Sequence, residues 1–137
     1  MTPEALIEQA RAMLPLAYAP YSGFPVGAAL ECADGTVYTG CNVENAAYGS
    51  SLCAERTALV KAVSEGRRSF TRLVVIGDTE DFCTPCGACR QMLYEFAPNL
   101  TVYMANRQGD YLTASLGELL PHGFGPAALG SEAMSSP

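Results

Sequence analysis

Leu73-Val74-Val75-Ile76-Gly77 is an unbroken apolar run in the middle of the chain. A short run of this kind is typical of a central strand that is buried on both faces of its sheet. Such a strand needs a layer of helices on each side, and the flanking segments, residues 52–65 and 85–97, both carry helix signals. The run therefore predicts an α/β fold with this strand inside the sheet.

Four segments carry helix signals. Apolar residues recur at helical spacing near the N-terminus, up to Pro15, which ends or kinks a helix. Ser51 is available as the N-cap of a second helix, and Thr84 as that of a third, with Pro85 at its first position. Ser115–Glu118 has the pattern of a capping box. The predicted helices span residues 3–14, 52–65 and 85–97, and a short fourth helix follows Ser115.

The remaining periodic segments are typical of strands in two hairpins. Asp34-Gly35 connects Val26–Cys32 to Thr36–Cys41, and Gln108-Gly109 connects Leu100–Ala105 to Tyr111–Thr113. With the central run, five strands and helices on both faces give a three-layer α/β/α domain with a five-stranded mixed sheet. We predict one domain over residues 1–129 and a disordered tail over residues 130–137.

The composition argues against several classes of partner. The chain has 137 residues, with 8 Lys plus Arg, 14 Asp plus Glu and a formal net charge of −6. Binding of phosphate backbones needs clustered cations, and Arg67-Arg68 is the only basic pair, so we expect a small molecule and no nucleic acid. No apolar run approaches the ~20 residues of a membrane helix. Because Pro3-Glu4 stands where a signal peptide would be basic, we predict a cytoplasmic protein without a membrane partner.

The six cysteines favour a metal or free thiols over disulfides in a chain of this kind. Three of them lie in two motifs, Cys53-Ala54-Glu55 and Pro85-Cys86-Gly87-Ala88-Cys89. A catalytic zinc takes three protein ligands and leaves its fourth position for water. Cys53, Cys86 and Cys89 fall at the starts of two predicted helices, where partial positive charge favours thiolates. They therefore predict one Zn²⁺ per chain.

Glu55 and Arg56 follow the first of these cysteines. A carboxylate beside a zinc site moves protons between the metal's water and a substrate, and this is the role that we predict for Glu55. Three thiolates on Zn²⁺ leave the site at −1, and Arg56, three residues after Cys53, can offset that charge. Without a metal, Glu55 would be an ordinary carboxylate at a helix N-terminus and Arg56 a solvated helix residue.

Other uses of the cysteines remain open. Cys83 would complete a structural site of four thiolates, although residues 83, 86 and 89 would then crowd three ligands onto one turn. The same three cysteines begin like an iron–sulfur motif, but Leu93 stands where that motif has its fourth cysteine. A Cys-x-x-Cys pair at a helix start is also found in redox proteins. Cys32 and Cys41 fall in predicted strands and are expected to be core thiols.

The motifs resemble the cytidine deaminase family, in particular its small, homotetrameric form with three zinc-binding cysteines. Zinc nucleobase deaminases share a non-ligand Glu followed by Pro-Cys-x-x-Cys. The resemblance runs from about Tyr18 to Phe124 and weakens afterwards, where an acidic residue expected near Ala128 is missing. Its strongest parts are Tyr21–Ala28, Gly40–Tyr48, Cys53–Arg56 and Pro85–Gln91.

The resemblance implies a reaction and the roles of individual residues. The reaction is zinc-dependent hydrolytic deamination of cytidine and deoxycytidine, with zinc-bound hydroxide attacking C4 and Glu55 as the proton shuttle. Phe24 would pack on the pyrimidine ring, while Asn42 and Glu44 would hydrogen-bond the ribose. The other implied residues are Cys53, Cys86 and Cys89 for zinc, Arg56 for charge compensation, Ala54 for substrate binding, and Ala46, Tyr48 and Phe124 at a site shared between the subunits of a homotetramer.

Alternatives to this function remain open. A blasticidin S-type deaminase shares the zinc motif, although the pair Asn42 and Glu44, suited to ribose, favours a nucleoside. A structural zinc or redox module would hold the metal without catalysis. From the residues alone, Asn42 and Glu44 are equally typical of a polar turn, and Phe24 of a core side chain. The net charge disfavours an enzyme that edits polynucleotides.

Overall fold

Four helices and five strands form around the apolar run in residues 1–129, the part of the chain that the computed structural model describes. The predicted tail, residues 130–137, lies outside the described residues. No helix within the described part is long and apolar enough to cross a membrane. In chain order the elements are α1 (Pro3–Arg11), β1 (Val26–Cys32), β2 (Val37–Cys41), α2 (Ala54–Ser64), β3 (Phe70–Gly77), α3 (Gly87–Phe96), β4 (Thr101–Ala105), β5 (Tyr111–Ser115) and α4 (Leu116–Leu119).

The strands of residues 1–129 form one mixed sheet in the order β2-β1-β3-β4-β5. β3 and β4 are parallel, whereas the other neighbouring strands are antiparallel. Val74 and Ile76 of β3 pack with α1 on one face, and Leu73 and Val75 pack with the other helices on the opposite face. All four side chains are fully buried. The predicted three-layer α/β/α fold with a five-stranded mixed sheet is therefore confirmed for this part of the chain.

Helix α2 lies directly against β2, and this contact determines where the first cysteine motif lies. A Cβ atom at Gly40 would be 2.6 Å from the carbonyl oxygen of Ala54 and 2.7 Å from the backbone nitrogen of Ala58. Ala54, Ala58 and Ala62 are fully buried. Small residues on both elements therefore allow the helix to approach the sheet closely, and any larger residue at position 40 would push the start of α2 away.

Helix α2 starts later than the sequence indicated. It begins at Ala54 with Cys53 as its N-cap, so the prediction of a helix from Leu52 capped by Ser51 is wrong. The Ser51 Oγ atom instead accepts a hydrogen bond of 3.0 Å from the backbone N–H of Asn45. Ser51 thus stabilises the preceding loop, although serine is a better N-cap than cysteine.

Helix α3 repeats this arrangement. It begins at Gly87 with Cys86 as its N-cap, so the predicted start with Thr84 as the cap and Pro85 as the first residue is wrong. Neither Cys53 nor Cys86 caps its helix with a side-chain hydrogen bond. The two thiols instead contact each other. At these two N-cap positions, a cysteine that can join the sulfur cluster takes the place of the usual hydroxyl or carboxylate side chain.

The other local signals are largely confirmed. Gly35 and Gly109 lie in the two hairpin turns, each with a φ of 91°, a backbone conformation that glycine adopts at low cost. The capping box of Ser115 and Glu118 forms at the start of α4. Helix α1 is shorter than predicted, because it ends at Arg11 and a 3₁₀ turn over Leu14–Leu16 follows.

Candidate active site

The N-termini of α2 and α3 meet on one side of the sheet, beside a cavity of about 550 Å³. Small-molecule sites typically have volumes of about 300–1,000 Å³. Five of the residues expected to bind substrate line this cavity, together with parts of the predicted metal site. These five are Phe24, Asn42, Glu44, Tyr48 and Ala54. The fold thus brings most of the predicted site together.

The three cysteines predicted to bind zinc form one cluster. The Sγ atoms of Cys53 and Cys86 are 3.5 Å apart, and those of Cys86 and Cys89 are 3.3 Å apart. All three sulfurs lie within 4.8 Å of one another. Tetrahedral thiolate ligands at ~2.3 Å from a zinc ion lie about 3.8 Å from each other. The cluster therefore fits zinc, and since Cys53 and Cys86 line the cavity, it faces the space where a substrate would bind.

The cluster contains a thiolate at neutral pH. Hydrogen bonds from Cys89 and Cys86 to its sulfur, with the positive charge of Arg56 nearby, lower the pKa of Cys53 to about 5. The hydrogen bond to Cys53, together with burial, raises the pKa of Cys89. Because zinc binds the thiolate form of cysteine, Cys53 is more readily available to the metal than Cys89.

Cys83 lies in the wall of the same cavity but outside the cluster of three sulfurs. Burial raises the pKa of Cys83 to about 12, and the negative charges of Glu55 and Cys53 act in the same direction. Position separates Cys83 from the predicted ligands, because its sulfur is not among the three that lie within 4.8 Å of one another. Within residues 1–129 the sulfurs therefore match the three-ligand pattern of a catalytic zinc rather than the four-ligand pattern of a structural one.

Glu55 lies on the first turn of α2, where it is only 3% exposed and lines the cavity. Burial raises the pKa of Glu55 to about 7, and the negative charge on Cys53 contributes to the rise. A carboxyl group with a pKa near neutrality both accepts and releases protons readily at physiological pH, as general acid–base catalysis requires. The position and the pKa of Glu55 therefore both suit a proton shuttle.

Arg56 is directed at the sulfur cluster. Its Nη2 atom donates a hydrogen bond of 3.0 Å to the carbonyl oxygen of Ser51. Burial opposes the charge of the guanidinium, but the hydrogen bond to Cys53 and the attraction of the cysteine sulfurs raise the pKa of Arg56 above its usual value. Its buried Nε atom has no hydrogen-bond partner among the residues that the structure describes. This geometry differs from that of a solvated helix residue.

Asn42 holds the segment that carries Phe24. Its Nδ2 atom donates to the carbonyl oxygen of Phe24, and its Oδ1 atom accepts from the backbone N–H of Val26, both at 2.9 Å. The two bonds fix the backbone on either side of Pro25. One N–H and one lone pair of the amide remain for a substrate. Local sequence patterns do not indicate this structural role.

Glu44 holds the preceding part of the same loop. Its Oε1 atom accepts hydrogen bonds from the backbone N–H groups of Tyr21, at 2.9 Å, and Ser22, at 3.0 Å. Its Oε2 atom accepts from the hydroxyl of Ser22. These bonds from Ser22 and Tyr21 lower the pKa of Glu44, so the carboxylate is ionised at neutral pH. Glu44 therefore acts as an anion that orders the loop and still faces the cavity.

Two of the predicted substrate residues do not line this cavity, namely Ala46 and Phe124. Phe124 is 58% exposed and is held on α3 by a hydrogen bond of 2.7 Å from Gln91 Nε2 to its carbonyl oxygen. Tyr48, which is 74% exposed, lines the cavity and packs edge-on against Tyr21, with ring centroids 5.7 Å apart. The cavity of one chain is thus formed without Ala46 and Phe124.

Several residues of the cavity wall were not identified from the sequence. Val26, Val75, Thr84 and Ala88 contribute to it. Val26 belongs to the wall because β1 is antiparallel to β3, so the first residue of β1 lies beside Gly77, the last residue of β3. These residues could have been identified from their position near the carboxyl end of the central strand, because sites in open α/β sheets form there.

Known proteins resemble this chain over nearly its whole length. The family model described as the cytidine and deoxycytidylate deaminase zinc-binding region matches residues 1–105. The cytidine deaminase of Sporosarcina psychrophila is 51% identical over 125 residues, which cover 90% of this chain and 92% of that protein. The cytidine deaminase of Halalkalibacterium halodurans is 50% identical over 125 residues, covering 90% and 95% of the two chains.

A solved structure agrees with these sequence relatives. The crystal structure of cytidine deaminase from Burkholderia pseudomallei superposes with a TM-score of 0.87 at 53% identity. The match covers 90% of this chain and 100% of that one. The family model and these relatives cover most of the chain, and the sulfur cluster with its neighbouring carboxylate fits a zinc-binding region. The chain therefore belongs to the cytidine and deoxycytidylate deaminase family.

Proposed function

We propose that the protein catalyses the hydrolytic deamination of cytidine and deoxycytidine to uridine and deoxyuridine. The observation that carries the proposal is the position of a three-sulfur zinc cluster and the buried carboxyl group of Glu55 on the wall of one nucleoside-sized cavity. The relatives, which are cytidine deaminases, support the choice of nucleoside among the possible substrates.

The chemistry divides between the metal and Glu55. Zinc held by Cys53, Cys86 and Cys89 would lower the pKa of a bound water from 15.7 to about 7. A carboxylate oxygen of Glu55 would accept one proton from the attacking water and pass it to the ring nitrogen as the water oxygen bonds to C4. Glu55 would then carry the second proton of that oxygen to the exocyclic amine, which leaves as ammonia as the C4 carbonyl forms. Because Glu55 is buried, bulk water does not compete for these protons.

The cavity wall offers contacts for an uncharged nucleoside. The ring of Phe24 presents an apolar surface to a pyrimidine. Ala54 is the first residue of α2, so its N–H has no partner within the helix and is available to donate to the base. We assign the remaining hydrogen-bonding capacity of Asn42 and Glu44 to the sugar hydroxyls.

We assign charge compensation to Arg56 and predict that Arg56→Ala lowers the zinc affinity or the turnover about tenfold, the scale of one lost charge-assisted hydrogen bond. Arg56→Lys should rescue only part of the loss, because an ammonium lacks the planar fork of a guanidinium. Arg68 is the matched control, since it bonds the carbonyl of Val63 at the opposite end of α2. Zinc affinity, measured by titration, and turnover are compared between the two variants. Equal losses in Arg56→Ala and Arg68→Ala would contradict the assignment.

We further propose that the active species is a homotetramer in which Ala46, Tyr48 and Phe124 complete the cavity of a neighbouring chain. Tyr48 and Phe124 support this proposal because their exposed rings are available for contact with a neighbouring chain, and aromatic side chains are enriched in the contacts between subunits. Phe124 also lies outside the cavity of its own chain. A shared site would explain how a short chain encloses its substrate.

We predict that Phe124→Ala and Glu55→Gln, each nearly inactive alone, regain part of the wild-type turnover when the two variants are mixed under conditions of subunit exchange. Some sites in the mixed assembly combine an intact Glu55 with an intact Phe124 from the neighbouring chain. Leu129→Ala, which alters another exposed side chain, is the control and should keep full activity. Light scattering gives the molar mass of the species whose turnover is measured. A fully active monomer would contradict the proposal.

One assay tests the proposed function directly. Loss of ultraviolet absorbance is measured with cytidine, deoxycytidine, CMP, cytosine, blasticidin S and single-stranded DNA. We expect turnover of the two nucleosides. Turnover of blasticidin S alone would identify the other deaminase, and a zinc-loaded protein without turnover of any substrate would identify a structural module.

We place the reaction in the cytoplasm. All six cysteines of the chain are free in the structure. Free thiols on this scale, three of them in a metal cluster, are typical of a reducing compartment. Fractionation of the native host cell, with detection of the chain by antibody, tests this location.

A further inference from the structure

The tip of the Phe24 ring rests against Gly77, the last residue of β3. A Cβ atom built on Gly77 would lie 2.9 Å from Phe24 Cζ, and 3.5 Å from both Cβ and Sγ of Cys83. The first distance is too short for any real Cβ contact, whereas the other two are ordinary van der Waals distances. A side chain at position 77 would therefore force the Phe24 ring to move, while Cys83 could stay in place.

The backbone conformation of Gly77 does not require glycine. Its φ lies outside the left-handed region, in contrast to Gly23, Gly35, Gly66 and Gly109. It pairs with Val26 in the antiparallel ladder between β1 and β3, where a larger residue would make a more stable strand. The absence of a side chain at this position is therefore explained by the space that the ring occupies.

The Phe24 ring cannot retreat by moving its own backbone. Asn42 holds the carbonyl oxygen of Phe24 and the N–H of Val26, each at 2.9 Å, and Ser22 Oγ accepts a hydrogen bond of 3.1 Å from the N–H of Phe24. With the backbone held on both sides, the ring can respond to a clash only by rotating away from β3. The ring lines the cavity, so this rotation changes the space available to a ligand.

We propose that Gly77 is a positioning residue for the pyrimidine subsite. By lacking a side chain, it lets the Phe24 ring lie back against the end of β3 and so sets the width of the cavity in front of that ring. This inference rests on the proposed function, because it takes the occupant of the cavity to be the base of a nucleoside. Gly77 acts through Phe24 and does not itself take part in the chemistry.

The first test is Gly77→Ala. We expect the KM for cytidine to rise about tenfold, within the range that overpacking costs, while kcat changes less than about threefold. Glu55 and the sulfur cluster lie on other elements, so the substitution should not disturb them. The substrate is then bound less tightly by the same amount in the ground state and the transition state, which raises KM and leaves kcat nearly unchanged. The control is Gly117→Ala on α4, where the added Cβ would meet only ordinary contacts, the closest at 3.6 Å to the carbonyl oxygen of Pro98. An unchanged KM in Gly77→Ala would overturn the proposal.

The second test is a double-mutant cycle with Phe24→Leu. The smaller side chain removes the atom that clashes, so Gly77→Ala should raise KM less than about twofold in this background. A tenfold rise in both backgrounds would mean that Gly77 acts independently of Phe24 and would refute the inference. Should Gly77→Ala alone fail to fold, the same clash predicts that the double variant folds, and a double variant that also fails to fold would refute it equally.

Thermal unfolding separates this inference from the proposed function. Gly77→Ala should lower the Tm more in the wild-type background than in Phe24→Leu, whatever the substrate is. Absence of cytidine turnover by the wild-type protein would refute the proposed function, while the unfolding cycle would still report on the contact between Gly77 and Phe24. Equal losses of Tm in the two backgrounds would refute the contact.

Discussion

Glu55→Gln is expected to lower cytidine turnover by at least ~10²–10⁴-fold, the range typical of general acid–base catalysis, while the zinc content stays at about one ion per chain. The loss should reach the upper part of this range, because one carboxyl group serves both the attacking water and the ring nitrogen. Zinc should be retained because the cluster consists of three sulfurs and Glu55 is outside it. The measurement is turnover together with metal analysis on the same samples.

The choice of glutamine isolates the proton transfer. The amide has nearly the same shape as the carboxyl group, and a neutral side chain is no harder to bury than a carboxyl whose pKa burial raises to about 7. The Tm of the variant should therefore not fall. Glu95→Gln on α3 is the matched control and should leave turnover unchanged. A Glu55→Gln variant with full zinc and turnover within about tenfold of the wild type would contradict the role of Glu55.

The sequence predicts the framework well because local signals and burial agree there. The run from Leu73 to Ile76 becomes the buried core of β3, since helices cover both faces of the sheet. Gly35 and Gly109 mark the two turns because both turns need a positive φ. The three cysteines are identified from their spacing, since residues 86 and 89 are on the same side of a helix start.

The predictions from the sequence are wrong or incomplete where a residue is needed for a contact outside its own helix or strand. Ser51 and Thr84 are the better N-caps, yet Cys53 and Cys86 hold those positions because the sulfurs must meet. Asn42 gives no indication of its hydrogen bonds to the Phe24 segment, which bring together residues that are distant in the chain. Such contacts depend on how the strands pair, and local patterns do not contain that information.

Cys53→Ala, Cys86→Ala and Cys89→Ala should each abolish stoichiometric zinc binding and, with it, cytidine turnover. Each substitution leaves two sulfurs where a catalytic zinc needs three protein ligands. In the wild-type protein, zinc affinity should fall as the pH drops, because the metal must displace the proton of Cys89, whose pKa is raised, whereas the pKa of Cys53 is lowered to about 5.

Cys83→Ala is the matched control for these three variants and should keep about one zinc per chain. Cys83 lies in the same cavity wall, but its sulfur is outside the cluster of three that lie within 4.8 Å of one another, so we expect it not to bind the metal. Metal analysis of the purified proteins, before and after dialysis against a chelator of moderate affinity, compares all four. Loss of zinc from Cys83→Ala, or its retention in any of the other three, would show that a different set of sulfurs binds the metal.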